Sequence, residues 1–110
     1  MKLPASAILV DNEVVPCPDV LEWGKWMGSH ERHVGDTHIG PFRISTVFLG
    51  LNHGYGSTDL WFETMVFIDR GEPFEPFKDV LFCQQYCTYA EAERGHENIV
   101  EKVKSGQIGE

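Results

Sequence analysis

The stretch Phe42-Arg-Ile-Ser-Thr-Val-Phe-Leu-Gly-Leu51 and its continuation Leu60-Trp-Phe-Glu-Thr-Met-Val-Phe-Ile68 form the part of the sequence that decides the fold. Both segments are rich in β-branched and aromatic residues, which pack well on a pleated sheet. A polar, glycine-containing loop connects them, so the pattern predicts an antiparallel hairpin with an extended loop. Because both alternating faces of the second segment are mostly apolar, the two strands are expected at the centre of a sheet.

Further elements are predicted on either side of this hairpin. Asp19 is a suitable cap for a short helix from Val20 to Met27. The polar stretch of residues 30 to 38 predicts a loop that runs into a strand. Short strands are expected at three other places, the last of them at or near a sheet edge: Ala7–Val10, Val14–Val15 and Val80–Tyr86.

The end of the sequence carries the pattern of an amphipathic helix. Thr88-x-x-Glu91 matches a capping box, in which two side chains satisfy free amides of the first turn. An apolar stripe follows at helical spacing and runs to about Lys104. Gly95 borders this stripe, although glycine costs about 1 kcal/mol relative to alanine in a helix interior. A close approach between the helix and a bulky residue of the sheet is therefore expected at Gly95.

These elements together predict one α+β domain over residues 1–110. We expect an antiparallel sheet of four to six strands, with the C-terminal amphipathic helix packed on one face. A short N-terminal helix is expected near residues 19–27.

Composition narrows the functional classes. The formal net charge is −8, and the nine basic residues form no cluster, which argues against direct binding to duplex nucleic acid. No apolar run approaches the roughly 20 residues that a membrane span needs. Acidic residues begin at Asp11, so the N-terminal segment makes a poor signal peptide. With an odd count of three cysteines, the chain is expected in the cytoplasm.

Three polar residues are candidates for a catalytic group. His53 follows the first central strand, Glu63 interrupts the apolar second strand, and His96 interrupts the helix stripe. Burying any of them unpaired would cost about 1–3 kcal/mol, so the sequence predicts that they converge. A Glu–His pair there would either specify how the helix docks or orient an imidazole for chemistry. The docking role is favoured, because no nucleophile accompanies the pair.

A metal site is a weaker hypothesis. His30, His33 and His38 lie in one polar stretch, and imidazoles are sound ligands for zinc. Their spacing matches no established metal motif, so solvated surface residues are the favoured interpretation. No cofactor is predicted.

Candidate binding residues lie in two loops. The first contains Gly54-Tyr-Gly-Ser57, a flexible segment with an aromatic side chain, as is common at contact surfaces. From Asp59 to Asp79, six acidic residues face two basic ones, so a negative patch is expected there. The binding residues predicted from these loops are Asn52, His53, Tyr55, Trp61, Glu72, Glu75 and Asp79.

The sequence also resembles a group of small proteins found in tailed bacteriophages and prophages. The resemblance rests on Thr46-Val-Phe-Leu-Gly-Leu-Asn-His53, on Phe62-Glu-Thr-Met-Val-Phe67 and on Tyr89-Ala-Glu-Ala-Glu-x-Gly-His96, and it covers roughly residues 43 to 104. It implies a phage-encoded accessory protein of the bacterial cytoplasm that acts on host machinery or host defence. It supplies no reaction, ligand or catalytic residue.

Two functional hypotheses follow. The favoured one is a non-enzymatic protein that binds and inhibits a host component, such as a protein or nucleoprotein complex of an antiviral defence system. It would act by blocking with an acidic surface or by sequestering a small nucleotide signal. The alternative is a small metal-dependent or His/Glu-based hydrolase, although the sequence contains no nucleophile elbow and no His-Glu-x-x-His. The oligomeric state is left open, and a homodimer is compatible with the sequence.

Overall fold

A computed structural model of the protein describes residues 5–54, 58–69, 71, 73, 75 and 79–108. It confirms the α+β class and the antiparallel sheet, whose four strands follow one another in the order β3-β4-β5-β6. A separate two-stranded sheet is formed by β1 and β2. The elements in chain order are β1 (Ala7–Val10), β2 (Glu13–Pro16), α1 (Val20–Ser29), β3 (His33–Ile39), β4 (Phe42–Phe48), β5 (Phe62–Ile68), β6 (Val80–Tyr86) and α2 (Tyr89–Lys104).

The central hairpin consists of β4 and β5, which are the two inner strands of the larger sheet, as predicted. Their register pairs Phe42 with Ile68 and Phe48 with Phe62. Every second side chain points to the face that α2 covers, and three adjacent pairs on this face are fully buried. These buried residues are Ile44, Thr46, Phe48, Phe62, Thr64 and Val66. The opposite face of both strands is half-buried.

Strand β3 is longer than the sequence suggested. It begins at His33, within the stretch that predicts a loop, and pairs with β4 through a register shift between His33 and Gly35. The sequence obscured this strand because Gly35 and Thr37, which face α2, take the place of apolar residues and contact His96. Strand β6 forms the other edge, in agreement with the prediction.

The small β1–β2 sheet is attached to the end of the central hairpin. Asp11 and Asn12 form its turn with φ of 51° and 66°, the left-handed backbone that these residue types tolerate. Ala7 donates its amide to the Gly50 carbonyl at 3.0 Å. An apolar cluster also joins this sheet to the larger one. Its buried members are Ala7, Phe48, Trp61, Phe62, Tyr86 and Ala92.

Helices α1 and α2 begin at the residues that the sequence predicts. Asp19 accepts hydrogen bonds from the amides of Leu21 and Glu22 and so caps α1. Thr88 accepts a hydrogen bond from the Glu91 amide and so caps α2. Within the described residues, no helix combines the length and the apolar character that crossing a membrane requires.

Helix α2 lies across one face of the sheet, as predicted. Its buried side chains are Ala92, His96, Ile99 and Val103. At Gly95 the helix approaches β6 so closely that an added Cβ would clash with the ring of Tyr86. The expected contact between this glycine and a bulky sheet residue is confirmed, and the bulky residue is Tyr86.

Candidate functional site

His96 lies at the centre of a buried polar network between α2 and the sheet. Its side chain is 8% exposed, and its Nδ1 lies 2.7 Å from the Thr46 hydroxyl. On the other side of the ring, Nε2 lies 2.9 Å from the Thr37 hydroxyl. The Thr46 hydroxyl in turn lies 2.5 Å from that of Thr64. Threonine hydroxyls can donate or accept, so they satisfy either tautomer of the imidazole.

Gly35 of β3 provides the space for this imidazole. A Cβ at Gly35 would lie 2.7–2.9 Å from ring atoms of His96, closer than side-chain carbons pack. Burial lowers the pKa of His96, and the negative charges of Asp36 and Glu97 oppose this effect. The neutral imidazole is therefore the form that fits the network. His96 therefore links α2 to the sheet through Thr37 and Thr46, and Thr64 extends the network beyond Thr46.

The predicted convergence of His53, Glu63 and His96 is wrong. Glu63 lies on the face of the sheet opposite α2, where its carboxylate accepts a hydrogen bond from Gln85 at 3.0 Å. Adjacent residues of a strand point to opposite faces, so the buried Thr64 faces the helix and Glu63 does not. His53 is exposed beyond the end of β4, where its amide donates to the Leu60 carbonyl.

The residues predicted for the first binding loop have mainly structural roles. The Asn52 side-chain oxygen accepts hydrogen bonds from the amides of Gly54 and Leu60, and its nitrogen donates to Asp59 at 2.6 Å. This amide side chain therefore holds the two ends of the loop together. Trp61 is 1% exposed and belongs to the core. Tyr55 lies outside the described residues.

The predicted acidic patch loses one of its members. Asp79 is 6% exposed, and its carboxylate accepts a hydrogen bond from the Glu75 amide at 2.9 Å. The carboxylate is therefore held inside a local turn and is not displayed on the surface as the prediction required. Glu75 is exposed, as predicted, whereas Glu72 lies outside the described residues.

The three histidines proposed for a metal site make different contacts. His30 stacks on Trp26, and His33 lies 2.6 Å from a carboxylate oxygen of Glu31. His38 pairs with Arg43 in the β3–β4 register. Over the described parts of the chain, no three His, Cys, Asp or Glu side chains group so as to hold a metal ion. The three cysteines of the chain are free.

A concavity of about 470 Å³ lies beside His96, between strand β3 and helix α2. We call it the β3–α2 cleft. Two exposed glutamates of α2, Glu97 and Glu101, are among its lining residues. Sequence reasoning missed this cleft because β3 and α2 are far apart along the chain. The cleft is lined by Gly35, Asp36, Thr37, His96, Glu97, Val100 and Glu101.

Comparison of the chain with models of known protein families, with curated proteins and with solved structures gave no match.

Proposed function

We propose that the protein is a non-enzymatic binding protein that blocks a host component by engaging a basic segment of a partner protein. The observation that supports this proposal is the acidic β3–α2 cleft beside an open edge of the sheet. Within the part of the chain that the structure describes, no strand pairs with the outer side of β3. The partner segment would lie along this edge.

The charges of the cleft differ in how freely they can meet a partner. Asp36 contributes backbone to the cleft, but its carboxylate points to the opposite face of β3, because Thr37 faces His96. There it receives two hydrogen bonds of 2.9 Å from Arg43, which lowers the pKa of its carboxyl and offsets its charge. Glu97 and Glu101 are exposed on α2, and Glu101 has a weak contact of 3.7 Å with Lys104. These two glutamates supply the negative potential that would recognise lysine or arginine.

The backbone of β3 supplies the second part of the interaction. In an antiparallel edge strand, every second residue directs its N–H and C=O away from the sheet, where an extended peptide can bind. The register shift near His33 restricts such pairing to the remainder of the strand, toward Ile39. A second copy of this chain would bring its own net charge of −8, so a basic partner is favoured over self-pairing.

The alternative functions have less support. The hydrolase hypothesis depended on three residues of which Glu63 and His96 lie on opposite faces of the sheet. Sequestration of a nucleotide would bring phosphates toward a chain with a net charge of −8. The resemblance to phage proteins supports a bacterial cytoplasmic setting. There, nucleic-acid-binding defence proteins would offer basic surfaces.

Reversing one charge should separate binding from folding. Glu97 lies four residues from both Glu93 and Glu101, and like charges at this spacing destabilise a helix by about 0.2–0.5 kcal/mol per pair. Glu97→Lys replaces both repulsions by attractions but turns the attraction to Arg94, three residues earlier, into a repulsion. The free energy of unfolding should therefore rise by only about 0.5 kcal/mol. Partner binding should nevertheless fall at least about tenfold, since the cleft loses its negative centre. Chemical denaturation and quantitative pull-down from host lysate measure the two effects.

Glu22→Lys provides the matched control. It makes the same charge change on an exposed residue of α1, outside the cleft lining. Captured proteins that depend on the cleft should be basic, should bind the Glu22→Lys variant and should be lost with Glu97→Lys. A partner retained equally by both variants would contradict the proposed surface.

A further inference from the structure

A second concavity, of about 450 Å³, lies between the β1–β2 turn and the start of α2. We call it the Trp61 pocket. Its volume falls in the range of about 300–1,000 Å³ that small-molecule sites occupy. Its walls are mostly apolar, and they are formed by Asn12, Glu13, Val14, Trp61, Cys87, Thr88, Tyr89 and Ala90.

The first turn of α2 lines this pocket and has backbone donors that the helix does not satisfy. The Thr88 hydroxyl accepts from the Glu91 amide, and the Thr88 carbonyl accepts from the Ala92 amide at 3.0 Å. The amides of Tyr89 and Ala90 come before the first intrahelical hydrogen bond, so the helix itself offers them no acceptor. Both residues line the pocket.

Trp61 supplies an independent observation. It also lines the pocket, and it is 1% exposed. Across the described part of the chain, its indole Nε1–H has no hydrogen-bond acceptor. An unpaired buried donor costs about 1–3 kcal/mol, so a native structure that keeps one calls for an explanation. The nitrogen itself is buried, so a ligand acceptor would remove the cost once a movement of the ring brought this N–H to the pocket wall.

The acidic residues around the pocket determine whether a neutral or an anionic ligand group can bind there. Glu13 forms part of the wall, and Glu91 lies in the first turn of α2. At Cys87, burial raises the pKa of the thiol, and Glu91 and Asp59 raise it further. The negative potential of these carboxylates opposes a carboxylate or phosphate ligand, even at a helix N-terminus. A neutral carbonyl oxygen avoids that repulsion.

We propose that the Trp61 pocket binds an uncharged, planar ring compound that carries a carbonyl acceptor. The ring would pack against the apolar wall that includes Val14 and Tyr89. The carbonyl oxygen would accept from the helix amides or the Trp61 indole. This site is separate from the β3–α2 cleft, so it stands whether or not the protein binds a basic partner.

Three related probes test the proposal: nicotinamide, nicotinate and pyridine. They share a six-membered nitrogen ring and differ in carrying a neutral carbonyl, a carboxylate or neither. In titrations followed by ¹H–¹⁵N spectra, nicotinamide should shift the Trp61 indole signal and the amides of Tyr89 and Ala90. Pyridine and nicotinate should bind about tenfold more weakly, the factor that about 1.4 kcal/mol represents.

Ala90→Phe should fill the mouth of the pocket and abolish the shifts, because Ala90 is exposed and its enlargement leaves the core intact. Asn98→Phe, which places the same side chain elsewhere on the exposed surface of α2, should leave them unchanged. The proposal would be overturned by absent shifts in the unaltered protein or by shifts that persist in Ala90→Phe. Binding of nicotinate as tight as that of nicotinamide would also overturn it.

Discussion

Replacing Gly95 by alanine should destabilise the protein, although the same change normally stabilises a helix interior by about 1 kcal/mol. The new Cβ would meet the ring of Tyr86, which is 6% exposed and is held beneath the helix. Either α2 must move away from the sheet or the ring must leave the core. Overpacking of this kind costs about 1–3 kcal/mol, which chemical denaturation would measure as a lower free energy of unfolding.

Gly24→Ala is the matched control for this prediction. Gly24 lies inside α1, and a Cβ there would have no atom within 4 Å. It should therefore show the ordinary stabilisation of up to about 1 kcal/mol. In a double-mutant cycle, Tyr86→Leu should absorb part of the Gly95→Ala penalty. Equal stabilisation by both glycine substitutions would show that α2 does not contact Tyr86 as described.

Replacing His96 by leucine should lower the free energy of unfolding by about 2 kcal/mol at neutral pH, because two hydrogen bonds of about 1 kcal/mol each are lost. The same substitution should also change how stability depends on pH. Burial lowers the pKa of His96 in the folded protein, whereas in the unfolded chain it is near 6.5. The stability that neutral His96 provides is therefore complete above about pH 6.5 and is lost as pH falls toward the folded pKa.

Denaturation midpoints of both proteins between neutral and mildly acidic pH would measure this effect. The His96→Leu variant should lose less stability on acidification, so the difference between the two proteins should shrink as the pH falls. Thr37→Val removes one of the two hydrogen bonds and keeps the imidazole, so it should cost about 1 kcal/mol and retain the pH dependence. Parallel pH profiles for the His96→Leu variant and the unaltered protein would contradict the burial of a neutral imidazole, and an unchanged free energy of unfolding at neutral pH would contradict the docking role.

Local chemistry explains why much of the fold could be predicted. Asp19 and Thr88 satisfy amides of the turns that follow them. Gly95 is an unusual residue inside a helix pattern, and it indicated the close approach of α2 to Tyr86. Each signal needs information from a few neighbouring residues. The central hairpin was predictable for the same reason, since apolar residues continue through both strands.

The candidate site could not be predicted from local sequence patterns, because it depends on which strand face meets α2 and on which elements lie side by side. Both faces of β5 carry apolar residues, so the sequence did not determine whether Glu63 or Thr64 would face α2. The partners of His96 were also missed, because threonine in a strand is expected on β-propensity alone. The acidic cleft requires β3 and α2 to be adjacent, and these elements are far apart along the chain.

The order of the sheet also has a consequence for synthesis of the chain. All its pairings join strands that are neighbours in sequence, so the sheet can assemble through local contacts, which favours rapid folding. The helix that covers it follows later, and Thr37 and His96 are 59 residues apart. At about 5–20 residues per second, translating the 16 residues of α2 takes about 1–3 s. Until α2 has emerged and packed on the sheet, the face that carries Ile44 and Val66 is open to water, and the nascent chain is most exposed to aggregation and to chaperones.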